Sequence, residues 1–95
     1  MPFLRLQNLI QIRMKFTAEI DIMPHANLLD PQGKAVSLSM GNLGLSEITN
    51  VRIGKHITLV VDADNEGSAK AKVEEACEKL LCNQIVESYS FELSV

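Results

Sequence analysis

Tryptophan is absent, and the aromatic side chains amount to three Phe and one Tyr. With 12 acidic residues against 9 basic ones, the chain also lacks a basic patch interleaved with stacking rings, the usual equipment for nucleic acid. No apolar run approaches the roughly 18 residues that a membrane span needs. The two cysteines, Cys77 and Cys82, are five positions apart, so they form neither a Cys-x-x-Cys redox or zinc motif nor a disulfide framework. They read as small hydrophobes on one helix. A secretory signal is missing too, and the composition suits the cytoplasm. The catalytic motifs are equally scarce: there is no Walker loop, Gly-x-Gly-x-x-Gly, His-Glu-x-x-His or Gly-x-Ser-x-Gly.

What is present is a chain of 95 residues, 46% hydrophobic and 22% charged, which fits one small globular domain. A domain of this size buries only about 60–65% of its unfolded surface, so association with a second chain would help it. Residues 1–13 hold two Arg and no acid, which leaves 14–95 with 7 basic and 12 acidic residues. The apolar positions 3, 6, 9, 10 and 12 suit a short amphipathic helix, and the lack of acids resembles a transit peptide. The simpler expectation is that Met14 is the working start, 1–13 an extension without functional weight, and 14–95 a single domain.

From Lys15 the pattern alternates: Phe16, Ala18, Ile20 and Ile22 mark one face of a half-buried strand. Pro24 breaks it, and His25 reads as a solvated loop side chain because no second ligand lies at metal-site spacing. Asp30 then caps a helix with Pro31 at its first position, and Gly44 ends it in the left-handed conformation. Gly33 and Lys34 in the first turn are not what propensity or the helix dipole would choose. Ile48–Ile53 alternates like a second strand, with Gly54-Lys55 as a type II′ turn into a third over His56–Ala63. A second helix is expected over 68–82, with Ala69, Val73, Ala76, Cys77, Leu80 and Leu81 on its apolar stripe, and a last strand over 85–95.

The order strand, helix, strand, strand, helix, strand predicts an α+β fold. It is a ferredoxin-like βαββαβ sandwich, with two helices on one face of a four-stranded antiparallel sheet. The open face carries Thr17, Glu19, Thr58, Val60, Ser88 and Ser90, and is either wet or laid against another sheet. Asp62 and Asp64 read as residues closing a strand and capping the next helix. Arg52 is either a solvated charge or a forked partner for a carboxylate or phosphate on another molecule. From the residues alone, the chain is a small oligomer-forming module without its own active site.

Leu29-Asp30-Pro31-Gln32-Gly33-Lys34-Ala35-Val36, taken with Val51-Arg52-Ile53-Gly54-Lys55, resembles the PurS family, the small subunit of phosphoribosylformylglycinamidine synthase. The resemblance runs from Met14 to about Val95. It departs at Gln84, where members commonly carry proline, which would alter the angle at which the last strand starts. The resemblance implies a non-catalytic subunit in de novo purine synthesis. It would work as a dimer or higher oligomer that bridges the PurL synthetase and the PurQ glutaminase and assists ammonia transfer between them. ATP and magnesium would be used by the synthetase, with no cofactor, nucleic acid or membrane on this chain. Asp30, Gln32, Gly33, Lys34, Arg52, Gly54 and Lys55 would be the partner-binding residues, the cost of Gly33 and Lys34 reflecting close approach by a partner. The alternative is a regulatory domain of similar topology that binds a small ligand between subunits. RNA binding on the open sheet face is disfavoured because Tyr89 and Phe91 share the face of Leu93.

Overall fold

The computed structural model describes residues 13–95; the expectations for positions 1–12 lie outside the described residues. Strand β1 (Met14–Pro24) is central and pairs antiparallel with β2 (Lys55–Ala63) on one side and β3 (Glu87–Ser94) on the other. Helix α1 (Pro31–Asn42) lies between β1 and β2 in sequence. Helix α2 (Glu66–Ala76) continues into a wider π turn, Cys77–Leu81, before β3.

The period-2 pattern sets the faces as expected. Ile20 stands opposite Ile57 and Phe91, and Ala18 opposite Leu59 and Leu93. α2 covers this face with Ala69, Val73 and Cys77, all buried. Phe16, Ala18, Ile20 and Ile22 of β1 are buried, whereas Ile57, Leu59, Val61, Phe91 and Leu93 on the flanking strands are only half-buried. One helix is too narrow to seal three strands.

Three expectations are corrected. The sheet of the described residues has three strands, because Ile48–Ile53 forms no strand. Asn50 sits there with φ of 57°, a left-handed conformation that Asn tolerates better than most residues and that interrupts an extended run. Secondly, α1 does not lie on the sheet beside α2. Its one buried residue is Gly33, and Leu38 and Leu43 are 66% and 73% exposed. Thirdly, Leu80 is not on the apolar stripe. The Cys82 N–H donates to the Cys77 carbonyl five residues back (2.9 Å), and the widened turn swings Leu80 into solvent while it brings Cys82 into the core.

Both cysteines are free and buried, and burial pushes both thiols up, as suits inert core residues. The helix ends follow the sequence signals. Asn65 caps α2 by accepting from Ser68 N–H (2.8 Å). Gly44 (φ 81°) closes α1, with Leu45 N–H on the Met40 carbonyl and Gly44 N–H on that of Gly41. The capping expected of Asp62 and Asp64 is not found, since Asn65 occupies the cap; the two aspartates instead pair with cations, Asp62 with Lys15 at 3.0 Å and Asp64 with Arg13 at 3.9 Å.

On the open face, His56 bridges two carboxylates of β1: Nδ1 lies 2.7 Å from Asp21 and Nε2 2.6 Å from Glu19, which also accepts from Thr58 Oγ1. The carboxylates raise the imidazole above its ordinary 6.5, Asp21 first, and the imidazole chiefly lowers Glu19. A raised histidine stabilises the fold fully below the unfolded-state value and loses that contribution as pH rises through its folded value. The lowered Glu19 contributes above its unfolded-state 4.5 and loses that as pH falls further. The urea midpoint is therefore expected to be greatest between these two ranges and to fall on the alkaline side. His56→Gln should remove the part of the decline that sets in as the imidazole loses its proton, leaving the part that the raised thiols cause at higher pH. An unchanged onset in that variant would show that another group causes it.

The departure at Gln84 has a local explanation. The Asn83 carbonyl accepts from Val86 N–H (3.0 Å) and Glu87 N–H (2.7 Å), and the Asn83 side chain accepts from Ile85 N–H (3.2 Å). With no positive φ at 84 or 85, this is a type I turn with Gln84 at its second position, where proline is favoured. Among the described residues the Gln84 N–H meets no acceptor. Gln84→Pro is thus expected to stabilise the chain by about 0.4–1 kcal/mol through the unfolded state, seen as a higher urea midpoint at unchanged slope.

Candidate functional site

The residues singled out from the sequence meet at one end of the sheet, where the loops after β1 and before β2 and β3 gather. Asp30 is the centre. One oxygen, Oδ1, accepts from Gly33 N–H at 2.9 Å, which is the expected helix cap. The other, Oδ2, accepts from Ile53 N–H at 2.9 Å, a bond across 23 residues of chain. Arg52 Nε stands 3.5 Å from the same oxygen. The two backbone N–H groups, that of Gly33 foremost, hold the carboxyl below its usual range, with Arg52 adding to them.

One turn further along α1, Ser37 Oγ accepts from Val51 N–H at 3.0 Å. The amides of residues 51 and 53, which a neighbouring strand would have paired, are satisfied by side chains of α1. That is why an alternating sequence stays outside the sheet.

Gly33 is now explained from within the chain. A Cβ there would overlap the Val51 carbonyl oxygen and crowd the Asp30 carboxylate. The close approach expected from a partner is made by the 51–53 segment itself. Gly54 is similar: its φ is not positive, so the turn is not type II′, and a Cβ would run into the Ile22 carbonyl and Met23 Sδ.

Arg52 is partly exposed but not free. Nη1 donates to the Ala26 carbonyl (3.1 Å), and Nη2 to the carbonyls of His25 (2.8 Å) and Pro24 (3.3 Å). His25 in turn joins this loop to the one before β3, through its N–H on the Val86 carbonyl (2.9 Å) and Nε2 at 3.0 Å from the Gln84 carbonyl. Lys55 Nζ lies 3.7 Å from Glu87 across the same gap.

Shallow grooves flank Asp30, one lined by Gln32, Gly54, Lys55 and Glu87, the other by Leu28, Lys34, Ser37 and Arg52. Gln32, Lys34 and Lys55 are exposed, while Asp30, Gly33 and Arg52 are covered to varying degrees. Sequence reasoning missed Ser37 and the carbonyls of residues 24–26. Asn50 was the available signal that the chain bends there. The surface offers charges, amides and shallow relief, and among the described residues no group of three or more His, Cys, Asp or Glu side chains could hold a metal ion.

A small α+β module, with its distinctive residues gathered at a helix root, is what fold and site define. Residues 17–95 match the family model described as PurS: Phosphoribosylformylglycinamidine (FGAM) synthase. A relative named phosphoribosylformylglycinamidine synthase subunit PurS, from Synechocystis, is 38% identical over 68 residues, covering 72% of this chain and 68% of that one. The purS subunit of the same synthase from Thermotoga maritima superposes with a TM-score of 0.82 at 30% identity, over 90% of this chain and 99% of that one. A chain in the structure of PurLQS from Thermotoga maritima gives 0.79 at 32% identity, over 85% and 99%. The chain belongs to the PurS family of phosphoribosylformylglycinamidine synthase subunits.

The glycines give a paired prediction. Gly33→Ala is expected to destabilise by about 1–3 kcal/mol, since a backbone carbonyl must move. Gly41→Ala, with nothing within 4 Å of its added Cβ, is expected to stabilise α1 by up to about 1 kcal/mol. Urea melts of both single variants would show opposite signs, and a tolerated alanine at 33 would refute the crossing.

Proposed function

We propose that this chain is the non-catalytic bridging subunit of a phosphoribosylformylglycinamidine synthase. It holds a PurL synthetase and a PurQ glutaminase together and assists the passage of ammonia between them. The conversion is that of formylglycinamide ribonucleotide to formylglycinamidine ribonucleotide, driven by ATP and glutamine. ATP and magnesium act on the synthetase, and this chain supplies no catalytic residue. It works in the cytoplasm, as a dimer or higher oligomer. The observation that carries the reading is the likeness to the chain within PurLQS, over 99% of that chain's length. Among the described residues no helix is long and apolar enough to cross a membrane.

The docking surface is at the root of α1, where Asp30, Gly33 and Arg52 shape the cluster and Gln32, Lys34, Gly54 and Lys55 lie on its exposed side. Its exposed members, Gln32, Lys34 and Lys55, are the side chains available to a partner. Ammonia is small and readily lost to solvent, so a synthetase fed by a separate glutaminase needs a closed route, and a subunit seated over the junction helps close it.

The test is co-purification of the full chain with PurL and PurQ in ADP, magnesium and glutamine, followed by glutamine-driven turnover. Assembly is expected only with all three, and Lys34→Ala combined with Lys55→Ala should slow association several-fold, more at low salt, as rim charges do. Full glutamine-driven turnover by PurL and PurQ without this chain would overturn the function. Assembly untouched by the double substitution would move the docking surface elsewhere. Saturable binding of glutamine, ATP or ADP to the isolated chain in calorimetry would favour the small-ligand regulatory domain instead.

A further inference from the structure

We infer that Arg52 and Asp30 do not touch a partner subunit but act from inside the chain, as a clamp that sets the direction in which α1 leaves the sheet. The inference deepens the bridging function proposed above and rests on it.

All three guanidinium nitrogens are engaged within the chain: Nη1 and Nη2 on the carbonyls of residues 24–26, Nε beside the Asp30 carboxylate. An arginine that reads a partner needs its fork free to pair with a carboxylate or phosphate in two places. This fork is spent. The Asp30 side chain is 9% exposed and committed to two backbone amides, so it offers little to a partner either.

The clamp matters because few other contacts aim the helix. α1 buries no side chain against the sheet, and Gly33 in its first turn is its one buried residue. Its orientation rests on the Asp30 carboxylate, the Ser37–Val51 bond and the Arg52 fork, all within two turns of its start. A helix of 12 residues held at one end is a lever of about 18 Å, so a tilt of about 10° at the root moves its far end by about 3 Å. A shift of that size separates side chains that had been in contact. Arg52 ties the end of β1 to the start of α1 and, being next to Ile53, to the start of β2. It therefore closes the triangle that fixes this angle.

Amide exchange on the full isolated chain, followed by assembly with PurL and PurQ, tests the inference. Arg52→Ala is expected to speed exchange of the Gly33 and Ile53 amides by about tenfold or more while Ala18 and Ile20 in β1 stay protected. Arg52→Lys, which keeps the charge but not the fork, should lie between. In assembly, Arg52→Ala and Asp30→Asn should each weaken capture of the partners, and the double variant should lose no more than the worse single one, because both act through one joint. Unchanged exchange at Gly33 and Ile53 together with weakened assembly would make Arg52 a direct contact and overturn the clamp. So would losses that add in the double variant, or exchange that rises throughout β1. Exchange is read on the chain alone, so a failure of the bridging function would appear separately, as assembly or turnover that does not need the wild-type chain.

Discussion

One carboxylate with two committed oxygens organises this fold. A helix cap needs a single acceptor, and Asp30 provides it to Gly33 with Oδ1. The second oxygen takes the Ile53 amide and makes a local cap into a tertiary joint. Gly33 follows from that choice, because the segment that delivers Ile53 passes with the Val51 carbonyl where a Cβ would be. Arg52 follows as well: its charge sits beside the carboxylate while its fork gathers the carbonyls at the end of β1. Removing the second bond would leave the relation of α1 to the sheet to the Ser37–Val51 bond and the Arg52 fork.

The rest of the molecule is consistent with a chain completed by others. The core is tightest where β1 meets α2: Ala18, Ile20, Ile22, Ala69, Val73 and Cys77 are no more than 1% exposed. On the flanking strands the inward residues remain half-buried because α1, which might have covered them, is directed away. Leu29, Leu38 and Leu43 are among the exposed apolar side chains that a monomer of this size can ill spare. In a family of synthase subunits, these unsealed faces and the free helix share one explanation, namely that part of the stabilising burial occurs between chains.

Much of this was legible from local pattern. Alternation located the three strands and their faces, and Asp30-Pro31 and Gly44 marked both ends of α1, because each signal depends on neighbours in sequence. The segment 48–53 defeated the same reasoning. Val51 and Ile53 alternate with Asn50 and Arg52 as in a strand, but alternation cannot say which acceptor an amide will find, and here Ser37 and Asp30 supply it. Gly54 resembled a turn glycine, yet what it meets is the backbone of a distant strand. Leu80 was misplaced because a π turn changes the period within the helix. The candidate site was found as a set of residues by family motif, whereas the division between exposed Lys34 or Lys55 and committed Asp30 or Arg52 needed three-dimensional contacts.

The chemistry of the joint also accounts for why it is polar. Apolar packing is non-directional and would let a lone helix settle at several angles against the sheet. Hydrogen bonds to a carboxylate and to a planar guanidinium weaken steeply when bent, so they specify an angle as well as a contact. They do so without consuming the apolar side chains of α1, which stay available on the far turns. A helix held only at its root has a fixed angle there and an uncommitted surface beyond it. Asp30 and Arg52 supply the first by being occupied, and Leu38 and Leu43 supply the second by being left exposed.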